Sequence, residues 1–167
     1  MIRRMSSTVS PSRRRARTAA VLVSSIALAA GACAPDDGPA GKVELVAAPA
    51  EGAVAPWVFD QLQAARARGR DVLVYVGASW CEPCQHFHQA AARGDLDAWF
   101  PRLTLLEFDQ DRDEARLARA GYTSEYIPLF VRPRPDGSAG SARMQGSVKG
   151  TGALIDLTPR LHRLLGQ

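Results

Sequence analysis

The spacing of apolar residues changes several times along this chain, and each change predicts an element. Lys42 to Val46 alternates and reads as a first strand, and Pro49 to Pro56 reads as loop. Trp57 to Arg68 places apolar residues at 58, 59, 62 and 65 against a polar face, which predicts an amphipathic helix ended by Gly69. Val72 to Val76, "VLVYV", is a continuous β-branched and aromatic run, as in a strand buried on both faces. After Gly77-Ala78-Ser79, a helix is predicted from Cys81 to Arg93; Gly94-Asp95 breaks it, and "LDAWF" adds a short turn before Pro101. Leu103 to Phe108 and Leu129 to Val131 read as two more buried strands, separated by an acidic loop and a short helix that Gly121 ends. Pro135-Asp136-Gly137 is a turn signal, and Ser141 to Gly146 is the returning antiparallel strand. Ala153 to Leu165 reads as a terminal helix in which Pro159 predicts a kink or a late start. The order β-α-β-α-β-α-β-β-α predicts an α/β domain whose sheet is mainly parallel, with helices on both faces and an antiparallel C-terminal hairpin.

The first 32 residues break this pattern. Six arginines between Arg3 and Arg17 precede the apolar stretch Ala19 to Ala32, and no acidic residue interrupts them. The stretch is shorter than the roughly 20 residues a membrane-spanning helix needs, so 1–32 reads as an export signal. The formal charge of +4 belongs to this leader; the rest of the chain carries about −2. With no basic stripe, glycine-rich phosphate loop or internal repeat, nothing in the sequence points to nucleic acid. Ala30-Gly31-Ala32-Cys33 resembles the lipobox of bacterial lipoproteins, with Ala30 where Leu is usual. The same tripeptide also fits an ordinary cleavage site at that bond. Residues 33–41 then read as a Pro/Gly tether, lipidated at Cys33 in the first reading, and residues 42–167 as the domain. Either way the domain is placed outside the cytoplasm, periplasmic or on the cell envelope, where disulfides persist.

The chemistry concentrates in "GASWCEPCQHFH", Gly77 to His88, which holds two of the three cysteines. A Cys-x-x-Cys alone is a weak signal, but here it follows a buried strand and a tight turn and opens a helix. The free N–H groups at a helix N-terminus stabilise a thiolate at Cys81. Pro83 costs no hydrogen bond there, Cys84 lies one turn on, and Trp80 can shield the pair. Forty-odd residues later, Ile127-Pro128 opens a strand, which makes sense if that peptide bond is cis.

These segments, "VLVYVGASWCEPC", "YIPLF" and "PDG", resemble the thioredoxin superfamily, above all its exported and lipid-anchored bacterial members. The resemblance spans roughly Lys42 to Leu165 and implies a thioredoxin-like fold with thiol–disulfide exchange as the activity. It makes Cys81 the nucleophile, Cys84 the resolving cysteine, Pro128 the cis-proline beside the dithiol, and Ile127 the residue whose backbone pairs with substrate. It implies no cofactor beyond the redox-active Cys81–Cys84 disulfide. The partners it implies are disulfide-containing protein substrates and a membrane electron donor. Thioredoxin itself has Gly where Glu82 stands and a buried carboxylate where Tyr75 stands. A carboxylate beside Cys81 disfavours its thiolate, which favours a reductase or exchange role over a strong oxidase.

His88 follows Cys84 by four residues and Cys81 by seven, so one helix face carries all three. It is either the proton relay that Tyr75 cannot be, or a packed core histidine. His86 is expected to be exposed and His162 a surface residue. Cys81, Cys84 and one histidine could hold copper in a metal chaperone of this fold, but structural zinc wants four ligands, and no metal is assigned. A non-catalytic adaptor with Cys81–Cys84 as a fixed staple is the other rival. The run Asp109 to Glu114 lacks the turn glycine and distal Glu of a calcium loop and reads as a solvated loop that caps the next helix. Trp57, Trp99 and Phe100 read as helix-to-sheet packing.

Overall fold

The computed structural model describes residues 41–167; the expected export signal, the tether up to residue 40 and the lipidation of Cys33 lie outside the described residues. In chain order the elements are β1 (Glu44–Ala47), α1 (Val54–Arg66), β2 (Asp71–Gly77), α2 (Glu82–Arg93), β3 (Leu103–Asp109), α3 (Gln110–Arg119), β4 (Leu129–Pro133), β5 (Ala139–Gln145), a short 3₁₀ turn (Gly150–Gly152) and α4 (Ala153–Leu165). The strands form one sheet in the order β1-β3-β2-β4-β5. β1, β3 and β2 run parallel, while β4 pairs antiparallel with β2, and β5 antiparallel with β4. This is the mixed α/β sheet with an antiparallel C-terminal hairpin that the strand and helix order predicts, and the thioredoxin-like fold that the resemblance implies.

Alternation along β2 sorts the core into two layers. Val72, Val74 and Val76 face α1 and α3, joining Val58, Leu62, Leu117 and Tyr122. Leu73 and Tyr75 face α2 and α4, joining Phe87, Phe130, Leu157 and Leu161. Covering both faces is what makes "VLVYV" apolar throughout, and it puts Tyr75 directly under the helix that carries the cysteines.

Several boundaries differ from expectation for identifiable reasons. Helix α1 begins at Val54 rather than Trp57, because Pro56 falls in the first turn, where the absent N–H would have no intrahelical partner. Helix α4 runs through Pro159 from Ala153, so the proline neither ends it nor delays its start. Trp99 does not pack on the sheet: it is 57% exposed and lies edge-on to His162, whereas Phe100 is buried and Trp57 meets Phe108 at 5.5 Å.

The acidic run is the largest departure. It is not a solvated loop but the start of α3, with Asp109 as N-cap accepting from the amides of Asp111 and Arg112. Asp113 is fully buried. It accepts from Arg112 and Arg116 at 2.8–3.1 Å and from the Asp109 amide at 3.0 Å. Arg116 also reaches the carbonyl of Pro49, so this ion pair ties α3 to the loop before α1.

Burial pushes the Asp113 carboxyl up, but the hydrogen bonds from Arg112 and Arg116 outweigh it and hold the group below the usual carboxylate range. The unfolded chain therefore takes up this proton first as pH falls. The contribution is present above the ordinary carboxylate pKa and is lost as pH falls through the folded value. Asp113→Asn leaves Arg116 buried without its carboxylate and is expected to cost about 3–5 kcal/mol in urea unfolding at neutral pH. The deficit relative to wild type should shrink as the same measurement is carried from about pH 5 towards pH 1.

Candidate active site

The last residue of β2, Gly77, is a glycine for a steric reason: a Cβ there would lie 2.6 Å from the Tyr75 hydroxyl and 3.3 Å from Cys84 Cβ. The chain turns through Ala78 to Trp80, and Cys81 becomes the N-cap of α2 in an extended conformation. The Cys84 amide donates to Cys81 Sγ at 3.3 Å. Cys81 and Cys84 form a disulfide with Cα atoms 5.2 Å apart, and both residues are buried. Once that bond is reduced, a thiolate at Cys81 faces free amides and the positive end of the helix. Pro83, in the first turn, removes no hydrogen bond the helix could use.

In front of the disulfide lies an open groove. The Ile127–Pro128 peptide is cis, and Ile127 packs on the cluster of Ala78, Cys81 and Cys84. Trp80 and Tyr126 stand exposed on its walls, with Trp80 Nε1 donating to Asp111 Oδ2 at 2.8 Å. Glu82, half-exposed, accepts from the Gly150 amide at 3.2 Å, which connects the first turn of α2 to the segment before α4. His86 lies on the outer face, its Nε2 3.7 Å from the Glu82 carboxylate.

Behind the disulfide lies a cavity of about 320 Å³, lined by Tyr75, Cys84, His88 and Glu107 among others. The Tyr75 ring stacks on Phe130 at 5.0 Å and meets Phe87 at 5.4 Å, and its hydroxyl donates to the Cys84 carbonyl at 3.2 Å. Burial, then the charge of Glu107, push this phenol well above its ordinary value, so it stays protonated. Glu107 sits opposite Tyr75 in the β2–β3 register. His88 Nδ1 lies 2.6 Å from Glu107 Oε1. The His88 side chain is 45% exposed, so it is not a packed core residue; it edges the cavity and pairs with the neighbouring strand.

The structure thus brings Trp80, Cys81, Glu82, Pro83 and Ile127 together around the groove, with Pro128 buried next to Ile127 in the cis peptide, and sets His88 beside the pocket that Cys84 lines. Sequence reasoning missed Glu107 and Asp111. The only signal for Glu107 was its charge inside the apolar run "LTLLEF". His162 is not a free surface residue, since its ring lies 4.6 Å from that of Phe100. Among the described residues, no group of three or more His, Cys, Asp or Glu is arranged to hold a metal, and no helix is long and apolar enough to cross a membrane.

Residues 53–133 match a family model described as Thioredoxin-like. The chain is also similar to three solved thioredoxins. That of Trichomonas vaginalis is 18% identical, over 73% of this chain and 96% of that one, with a TM-score of 0.49. Poplar thioredoxin h is 26% identical, over 75% and 95%, with a TM-score of 0.46. That of Trypanosoma brucei brucei is 15% identical, over 78% and 97%, with a TM-score of 0.42. No curated protein matches. The family match contains both cysteines, Ile127 and Pro128, and identifies residues 53–133 as a thioredoxin-like domain, with which the sheet order and the disulfide at the head of α2 agree.

Proposed function

We propose that this chain is a thiol–disulfide oxidoreductase of the bacterial cell envelope, exported and held at a membrane through Cys33, that acts as a reductase or exchange enzyme. The observation that carries the activity is the Cys81–Cys84 disulfide at the N-terminus of α2, facing an open groove beside the cis Ile127–Pro128 peptide. In the reducing direction the Cys81 thiolate attacks a substrate disulfide. A Cys81–substrate bond forms, and the substrate's other sulfur leaves as a thiolate. The Cys84 thiolate then attacks Cys81 Sγ, which releases the second substrate sulfur and regenerates the Cys81–Cys84 bond. A dithiol donor at the membrane must return two electrons and two protons per cycle.

Cys84 must lose its proton for the second step, and Tyr75 cannot take it because its own proton is held. His88, supported by Glu107, borders the same cavity as Cys84 and is the group placed to accept it. The Glu82 carboxylate in the first turn opposes the stabilisation of the Cys81 thiolate that the helix supplies. A less stabilised thiolate makes a less oxidising pair.

Three outcomes test this reading. Cys84→Ala should accumulate mixed disulfides on Cys81 that mass spectrometry identifies, whereas a chain that traps nothing and fails to reduce insulin is not an exchange enzyme. Glu82→Gln should make the couple more oxidising, raising its potential by on the order of 10–30 mV in glutathione equilibration; an unchanged or lower potential removes Glu82 from the account. His88→Ala and Glu107→Gln should each slow resolution of a preformed mixed disulfide by about 10- to 100-fold near pH 7. They should leave the first attack by Cys81 unaffected and shift the pH profile of resolution; a pH profile identical to wild type in both would assign the pair a structural role only.

A further inference from the structure

The charges of this domain are sorted by end. Strands β1, β2 and β3 are parallel and finish at the end that carries the disulfide. Their first residues mark the opposite end. Arg70, just before β2, bonds the carbonyls of Lys42 and Leu103 there. Arg132 reaches the Leu165 carbonyl at the tail of α4, and Ala139 in the β4–β5 hairpin bonds the Ala120 carbonyl after α3. At this far end Lys42, Arg66, Arg102, Arg119, Arg134 and Arg163 are all exposed. None makes an ion pair among the described residues, although the exposed Asp136 carboxylate lies in the field of Arg134; Arg68, Arg70 and Arg93 there are matched by Glu44 and Asp95. At the disulfide end the exposed groove charges are Glu82, Asp111, Glu114 and Glu125, opposed by Lys149. Acidic and basic residues are equal in number across residues 41–167, so this is a separation of charge and not a net excess.

Two further features mark the basic end. Trp99, 57% exposed and three residues before Arg102, lines an apolar groove shared with Leu154 and Ile155. The N-terminal segment also joins the fold at this end: the Val43 amide donates to Asp97 Oδ1 at 2.8 Å, and Gly41 lies against Pro101. Indole rings favour the headgroup region of a bilayer. Each Lys or Arg held near an anionic leaflet raises partitioning by about fivefold, and acidic groups are repelled by it.

We propose that the basic end is a docking surface for an anionic phospholipid bilayer, seating Trp99 among the headgroups and turning the Cys81–Cys84 disulfide away from the membrane. The docking stands apart from the redox reading and does not require a lipid on Cys33. A lipid there would act in the same direction, because the eight residue steps from Cys33 to Gly41 span at most about 29 Å. The exposed indole favours a membrane over a nucleic acid.

The test uses the full chain with vesicles of phosphatidylcholine alone, or of equal parts phosphatidylcholine and phosphatidylglycerol. Because the leader's arginines bind anionic lipid in any variant, the comparison is with Arg66→Glu, Arg102→Glu, Arg134→Glu and Arg163→Glu combined. The combined variant should lose at least about tenfold in partitioning to the anionic vesicles, with a shallower salt dependence. Its insulin-reduction rate in solution should be unchanged, which separates this proposal from the redox assignment. Brominated lipid should quench Trp99 and spare Trp80, as resolved with Trp99→Phe and Trp80→Phe. Should the combined variant fail to fold, Arg102→Glu alone should lose about fivefold. Unchanged partitioning in the charge-reversed protein overturns the proposal. Equal quenching of Trp80 and Trp99 also overturns it, and so does binding to a DNA duplex as tight as to the anionic vesicles.

Discussion

The Cys84 amide points at Cys81 Sγ because Cys81 occupies the N-cap of α2, and the rest of the site is arranged around that contact. The cap position is set from below. The Tyr75 hydroxyl comes so close to Gly77 that β2 must end on a residue without a Cβ, and the same hydroxyl holds the Cys84 carbonyl one turn into the helix. A buried aromatic cluster of Tyr75, Phe87 and Phe130 thus fixes both the end of the strand and the first turn of the helix. Reactivity at Cys81 and burial of Cys84 are two consequences of one packing arrangement.

That arrangement divides the labour between two sides of the disulfide. The front, walled by Trp80, Tyr126 and Ile127, is open to a polypeptide and carries acidic groups. The back is a second, partly open pocket that carries the His88–Glu107 pair. In the proposed cycle, substrate would reach Cys81 from the front and the Cys84 proton would leave by the back, so changes on one side need not disturb the other. The buried Asp113–Arg116 pair steadies α3, whose first turn supplies the Asp111 carboxylate that holds the Trp80 indole.

The sequence carried the strands of this sheet well, because β2 and β3 are covered on both faces and so read as unbroken apolar runs. Cys81, Cys84, Ile127 and Pro128 were also legible, since their meaning depends on order and local context. What escaped was set by register and by distant contacts. Glu107 meets His88 only because β3 lies beside β2 with Glu107 opposite Tyr75, which periodicity does not specify. Asp113 looked solvated because its neighbours are charged, yet its partner Arg116 is anchored on the Pro49–Gly52 loop more than sixty residues earlier. Trp99 looked like core by residue type, and only the packing of Phe100 and His162 left it outside.

At the centre of the proposed function is a reversible dithiol couple at Cys81 and Cys84, expected to be less oxidising than a dedicated oxidase. Equilibrating the purified protein against glutathione and dithiothreitol buffers, with thiol content read by alkylation and mass spectrometry, measures it directly. The expected result is one two-electron transition at or below about −180 mV, more reducing than the roughly −120 mV of a dedicated oxidant. A disulfide that stays closed in excess dithiothreitol, or a midpoint near −120 mV, would contradict it.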